Sequence, residues 1–289
     1  MAERIAYFDC FSGASGNMLL GALLDAGLTL DDLRADLDLL GVGGYHVSAE
    51  RQVRRGISGI HFDVHDDAEA HPVRNLAVVR EIIEGSELSD GVKERSLAVF
   101  RRLAQAEARI HGVGVDEIHF HEIGAVDTLV DVVGVIAGLE RLGVAQAFAS
   151  AVPTGSGTVR TQHGLLPVPA PATLALLAAK GAKIVPSAAE IEMVTPTGAA
   201  LLAELAEFQQ PPMRIQAVGH GFGTKELPWA NMLRVWLGEP IKREARSSTP
   251  HQDGGHRNDL GHGHHHDHDH NGHGAHHGAD GHAHPHPNE

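Results

Sequence analysis

The sequence predicts an α/β fold, a mixed sheet with helices packed around it, followed by a disordered His-rich C-terminal tail. Three observations predict this. Strand-like and helix-like segments alternate through the first 240 residues of a 289-residue chain. Hydrophobic residues make up 42% and aromatics only 4%, and the body is rich in Ala, Leu, Val and Gly. After Leu260 no apolar residue is larger than Ala, so the last segment has nothing with which to build a core. The division expected is a body over 1–240 and a linker plus tail over 241–289.

The elements follow in order. Ile5 to Phe8 is a short apolar run and reads as a buried strand ending at Asp9. A small-residue turn, Cys10 to Asn17, leads into a helix over Met18–Ala26 closed by Gly27. Thr29 caps a second helix to Leu40, with Asp31 and Asp32 in its first turn. Tyr45–Val53 and Ile57–Val64 alternate around Arg54-Arg55-Gly56 and read as a hairpin. A polar loop over Asp66–Pro72 precedes helices over Leu76–Ile83 and Gly91–Ile110. Ile123–Leu142 is a strongly apolar helix and Phe148–Val152 a strand. Helices over Pro171–Ala179 and Pro196–Phe208 flank a short strand at Ile184-Val185. The latter begins with Pro in its first turn. Strands at Ile215–Val218 and Leu233–Leu237 close the body, and linker begins at Glu239.

Charge and cysteine usage exclude several classes. A net charge of −14 disfavours nucleic acid and anionic membranes as partners. Cys10 is the single cysteine, so there is no intramolecular disulfide and no cysteine-based zinc site. No apolar stretch approaches the roughly 18 residues of a membrane span, and no signal peptide is visible, so the expected location is cytoplasmic.

Several groups of residues can carry chemistry. In the tail, His262, His264, His265, His266, His268, His270, His273, His276 and His277 recur among Gly, Asp, Ala and Asn. Neutral imidazoles on a flexible chain bind nickel, copper or zinc at weak, exchangeable sites. An unbroken purification tag is the bland alternative, but this tail is interrupted throughout. In the body, His119, His121 and Glu122 are followed by Asp127 and Asp131. The two histidines share a side of an extended segment, and the two aspartates share a helix face amid Val and Ile. Buried carboxylates are normally paired, hydrogen-bonded or metal-bound, so the group reads as a divalent-metal or catalytic cluster, or as acids paired with arginine elsewhere. Ser12, Gly13, Ser15 and Gly16 form a strand-to-helix turn that either contacts phosphate or is a tight structural turn. Gly155, Ser156 and Gly157 with Arg160 and His163 form a second loop open to the same two readings. Glu192 to Gly198 either caps a helix through Thr195 or Thr197 or faces a ligand. Gly219 to Thr224 reads as a flexible turn or a plain hairpin loop.

Together these segments resemble one family. Asp9-Cys10-Phe11-Ser12-Gly13-Ala14-Ser15-Gly16-Asn17-Met18 is similar to its opening signature, and His119-Phe120-His121-Glu122-Ile123-Gly124-Ala125-Val126-Asp127 to its central one. Gly155-Ser156-Gly157-Thr158, His163-Gly164 through Pro171-Ala172-Thr173, and Thr195-Pro196-Thr197-Gly198 complete the order. The family is LarC, the nickel insertion proteins of nickel-pincer cofactor biosynthesis. The resemblance implies an enzyme, a nickel chelatase (a lyase forming carbon–nickel and sulfur–nickel bonds). It would act on pyridinium-3,5-bisthiocarboxylic acid mononucleotide and serve an apo lactate racemase-like acceptor. It implies dependence on CTP with Mn²⁺ or Mg²⁺, at a site in a further C-terminal domain or a separate C-terminal chain. His119, His121 and Glu122 are the expected catalytic residues, and a homo-oligomer is expected. The family's signature has Asp where this chain has Asn17. The competing class is a non-catalytic nickel store or metallochaperone.

Overall fold

The computed structural model describes residues 4–67, 75–118, 120 and 126–241. The expected catalytic residues His119, His121 and Glu122 lie outside the described residues, as does the whole histidine tail.

The elements are β1 (Arg4–Asp9), α1 (Gly16–Asp25), α2 (Leu30–Asp38), β2 (Tyr45–Arg54), β3 (Ile57–Asp66), α3 (Leu76–Gly85), α4 (Asp90–His111), α5 (Val126–Arg141), β4 (Val144–Ala149), β5 (Val152–Pro153), β6 (Thr158–Thr161), β7 (Gly164–Pro167), α6 (Pro171–Lys180), β8 (Ile184–Val185), α7 (Pro196–Leu205), β9 (Ala206–Glu207), β10 (Met213–Phe222) and β11 (Met232–Pro240). Seven strands form one mixed sheet in the order β2-β3-β10-β11-β1-β4-β9. The β1–β4, β4–β9 and β3–β10 pairs are parallel and the rest antiparallel. Two small two-stranded sheets, β5-β8 and β6-β7, stand apart from it.

The main core lies on one side of the sheet. Alternate residues of the central strands, Ala6 and Phe8 on β1 and Leu233, Val235 and Leu237 on β11, join the apolar faces of α1, α4, α5 and α7 there. α5 is buried through Leu129, Val130, Val132, Val133, Val135 and Ile136, as its unbroken apolar sequence demands. Each such side chain contributes about 1.5–3 kcal/mol by leaving water. The other parity of the strands, Ile5, Tyr7, Phe148 and Trp236, forms a smaller cluster with Met213. Among the described residues no helix is long and apolar enough to cross a membrane.

Four expectations are corrected. Gly219–Phe222 is not a flexible turn but the end of β10, paired with Leu233 and its neighbours on β11. Its glycines exist for α1: a Cβ at Gly221 would lie 1.9 Å from the Met18 carbonyl oxygen, and one at Gly219 would lie 2.0 Å from that of Ala22. The helix after Pro196 stops at Leu205, because Ala206 and Glu207 pair with Ala147 and Phe148 as a sheet edge. The strand read at Phe148–Val152 divides between β4 and β5, which belong to different sheets. The segment after Gly157 is a hairpin, β6–β7, in which Val159 faces Leu166 and Arg160 faces Leu165.

Candidate active site

A cavity of about 610 Å³ opens beside the sheet, within the range of small-molecule sites. Four helices begin at its wall. Ser15, Gly16 and Asn17 are the start of α1, Asp127 and Thr128 of α5, Ala170 to Ala172 of α6, and Thr195 to Thr197 of α7. Helix starts present unpaired N–H groups and a positive dipole end. α1 and α6 have no side-chain cap on these groups. At α1 the Ser15 hydroxyl instead donates to Asn17 Oδ1 at 2.5 Å. Thr195 does both things expected of it: it accepts from Gly198 N at 3.2 Å and lines the cavity.

The small-residue turns hold these helix starts together. Ala14 N donates to Met193 O at 2.9 Å and Thr195 N to Ala14 O at 3.1 Å, which ties the entry of α1 to the entry of α7. Gly13, at φ 89°, lets the Met193 carbonyl approach; an added Cβ would stand 1.8 Å from that oxygen. Gly155 plays the same part against Ile191 O. Ser12 accepts from Trp229 Nε1 at 2.9 Å and donates to Ala230 O. Ser156 donates to Ala189 O, and Gly157 O accepts from Val168 N. Of the residues expected to touch phosphate, Ser15, Gly16 and Arg160 therefore line the cavity. Ser12, Gly13, Gly155, Ser156 and Gly157 lie behind it as stitches between loops.

One end of the cavity is acidic. Asp127 and Asp131, on one face of α5, meet Asp63 from β3. Asp131 fits only because residue 16 is glycine, since a Cβ there would fall 2.2 Å from Asp131 Oδ2. Asp131 Oδ1 is closed off from solvent and has no hydrogen-bond partner among the described residues. Burial pushes the Asp131 carboxyl well above its ordinary range, and the nearby Asp127 and Asp63 push it further. Asp127 is also raised, chiefly by desolvation, with partial relief from the bonds that Thr128 donates to it. Among the described residues no basic side chain offsets either acid.

Other polar groups also line the wall. Arg160 lies on β6, His163 in the β6–β7 turn, and Glu107 and His111 on the last turn of α4. The His111 and His163 rings are 4.7 Å apart, centre to centre, and Glu107 Oε2 is 3.4 Å from His111 Nε2. Phe120, the described neighbour of His119 and His121 in sequence, also lines the cavity. As they stand, no three His, Cys, Asp or Glu side chains among the described residues converge on a metal position. Asp63, Glu107 and His111 escaped the sequence reading. The only trace of them was the i,i+4 spacing of Glu107 and His111 at the end of an amphipathic helix.

The nickel insertion protein family model matches residues 6–259. The chain belongs to the nickel insertion protein family. A Desulfitobacterium hafniense relative named pyridinium-3,5-bisthiocarboxylic acid mononucleotide nickel insertion protein is 48% identical over 238 residues, 82% of this chain and 58% of the relative. Relatives named for nickel insertion without a stated substrate come from Roseiflexus castenholzii and Thermomicrobium roseum. They are 54% and 55% identical over 244 residues, 84% of this chain and 62% and 60% of theirs. The chain thus spans about 60% of the length of the curated relatives it matches. No solved structure matches it.

Proposed function

We propose that the cavity binds pyridinium-3,5-bisthiocarboxylic acid mononucleotide and that the chain takes part in inserting nickel into it. The observation that carries this reading is the pairing of opposites in one chamber. Uncapped helix starts and Arg160 suit a phosphate. Asp127 and Asp131, which no basic side chain offsets among the described residues, suit a cation, which a pyridinium ring and a nickel ion both supply. A passive nickel carrier has no use for such a chamber, which favours the enzyme over the storage protein.

In this proposal the ring carbon loses a proton as its electron pair forms the carbon–nickel bond, and the two thiocarboxylate sulfurs complete the pincer. The proton passes to His119, His121 or Glu122, which adjoin the cavity-lining Phe120 in sequence. Asp127 and Asp131 balance the ring charge and hold metal. The product serves a lactate racemase-like acceptor. CTP does not fit this wall: five carboxylates face one guanidinium, and a triphosphate would meet net repulsion. CTP, with Mn²⁺ or Mg²⁺, is therefore assigned to a C-terminal domain or a separate C-terminal chain. The body over 1–240 holds substrate, and the tail over 241–289 gathers nickel through its histidines.

Calorimetry with the mononucleotide is the first test. Binding to the full chain, weakened about tenfold or more in R160A, supports the reading, and absence of binding to the parent overturns it. With Ni²⁺, CTP, Mn²⁺ and the C-terminal chain added, mass detection of the nickelated product tests the chemistry. Unchanged insertion by the H119A/H121A double variant removes those two as base.

A further inference from the structure

We infer that His111 and His163 form a two-imidazole docking site for nickel on the wall of the cavity, with Glu107 orienting His111. Two imidazoles bound side by side to one divalent metal, at about 2.1 Å, have ring centres roughly 4.5 Å apart. The observed 4.7 Å with planes inclined by 52° matches that arrangement. Glu107 precedes His111 by one helical turn, and its carboxylate faces one ring nitrogen. A carboxylate in this place can fix the orientation of a ligating imidazole.

Donor chemistry separates the two groups of residues. Asp63, Asp127 and Asp131 offer only oxygen, which suits hard cations or the pyridinium charge; imidazole suits nickel. Two protein ligands also leave coordination positions open for the two sulfurs and the ring carbon of the pincer. The fold has a second histidine pair, His46 and His65, with rings 4.6 Å apart. Those rings stack face to face at 20°. Their lone pairs lie in near-parallel planes and cannot converge on one ion, so that pair serves as the control.

The inference rests on the proposed nickel chemistry, and its test is independent of turnover. In the full-length chain with the tail histidines replaced by serine, Ni²⁺ alone is titrated by calorimetry. Cu²⁺ is used as an electron-paramagnetic-resonance probe of nitrogen ligands. The parent is expected to bind Ni²⁺, H111A and H163A each to lose about tenfold or more in affinity and one nitrogen coupling from the Cu²⁺ spectrum, and H46A to match the parent. Equal Ni²⁺ affinity in H111A, H163A and the parent would overturn the proposal, as would a loss confined to H46A. Both rings are exposed on element ends, so the substitutions spare the core. Mononucleotide binding without metal separates the two readings: if H111A and H163A retain both it and the parent's Ni²⁺ affinity, the docking site fails and the cavity's function stands.

Discussion

Asp131 keeps one oxygen without a hydrogen-bond partner among the described residues, with Asp127 and Asp63 nearby, and this lowers the stability of the fold. Its folded pKa lies above the unfolded value of about 3.8, so between those values the folded state holds more protons than the unfolded one. Stability therefore falls as pH rises from near 4 through the folded pKa. D131N should unfold in urea later than the parent at pH 7, by about 1–2 kcal/mol, with the difference vanishing toward pH 4, while binding the mononucleotide or cation more weakly. A parent as stable as D131N across that range would contradict the assignment. G16A tests the same contact from the other side. Its Cβ would drive the Asp131 carboxylate from its position, and a loss of about tenfold or more in ligand affinity is expected. Cys10 is fully buried, and burial pushes its thiol up to about 12. It should ignore a thiol reagent at pH 8 until the chain is unfolded, when a single thiol should react.

Elements whose local pattern and tertiary role agree were legible in the sequence. α5 is apolar nearly all round because most of its surface is buried, and α2 begins at Thr29 because that hydroxyl accepts from Asp32 N at 3.1 Å. β10 was not legible past Val218, since Gly-His-Gly-Phe-Gly reads as a turn. The reason for those glycines is the backbone of α1, distant in sequence. G221A should therefore destabilise the fold by about 1–3 kcal/mol and shift the start of α1, which chemical denaturation and ligand affinity would both register. The site was legible in part for a similar reason. The Asp127–Asp131 spacing marks one helix face, and these two residues and Arg160 line the cavity, Arg160 from β6. The serines and glycines of the two turns had two readings, and the choice between stitch and phosphate contact depends on which carbonyls lie across from them. Local sequence does not contain that information. Asp63 and His111 reach the cavity from a hairpin and a helix end that only the tertiary fold brings together.

At the scale of the whole molecule, the proposed function divides the handling of nickel between the body and the histidine tail. Removing the chain beyond Arg243 should leave the body's thermal unfolding unchanged, lower nickel loading when metal is scarce, and spare turnover when metal is saturating. Turnover lost even at saturating metal would assign the tail a role other than supply. The lone sulfhydryl adds a last consequence. Nickel is thiophilic, and a reactive cysteinate near the chamber would compete with the thiocarboxylates of the proposed substrate for the ion. By sealing Cys10 beneath the sheet in its neutral form, the chain leaves the substrate's own sulfurs as the strongest soft ligands an arriving nickel ion would encounter, so the metal is not diverted into a dead-end protein adduct.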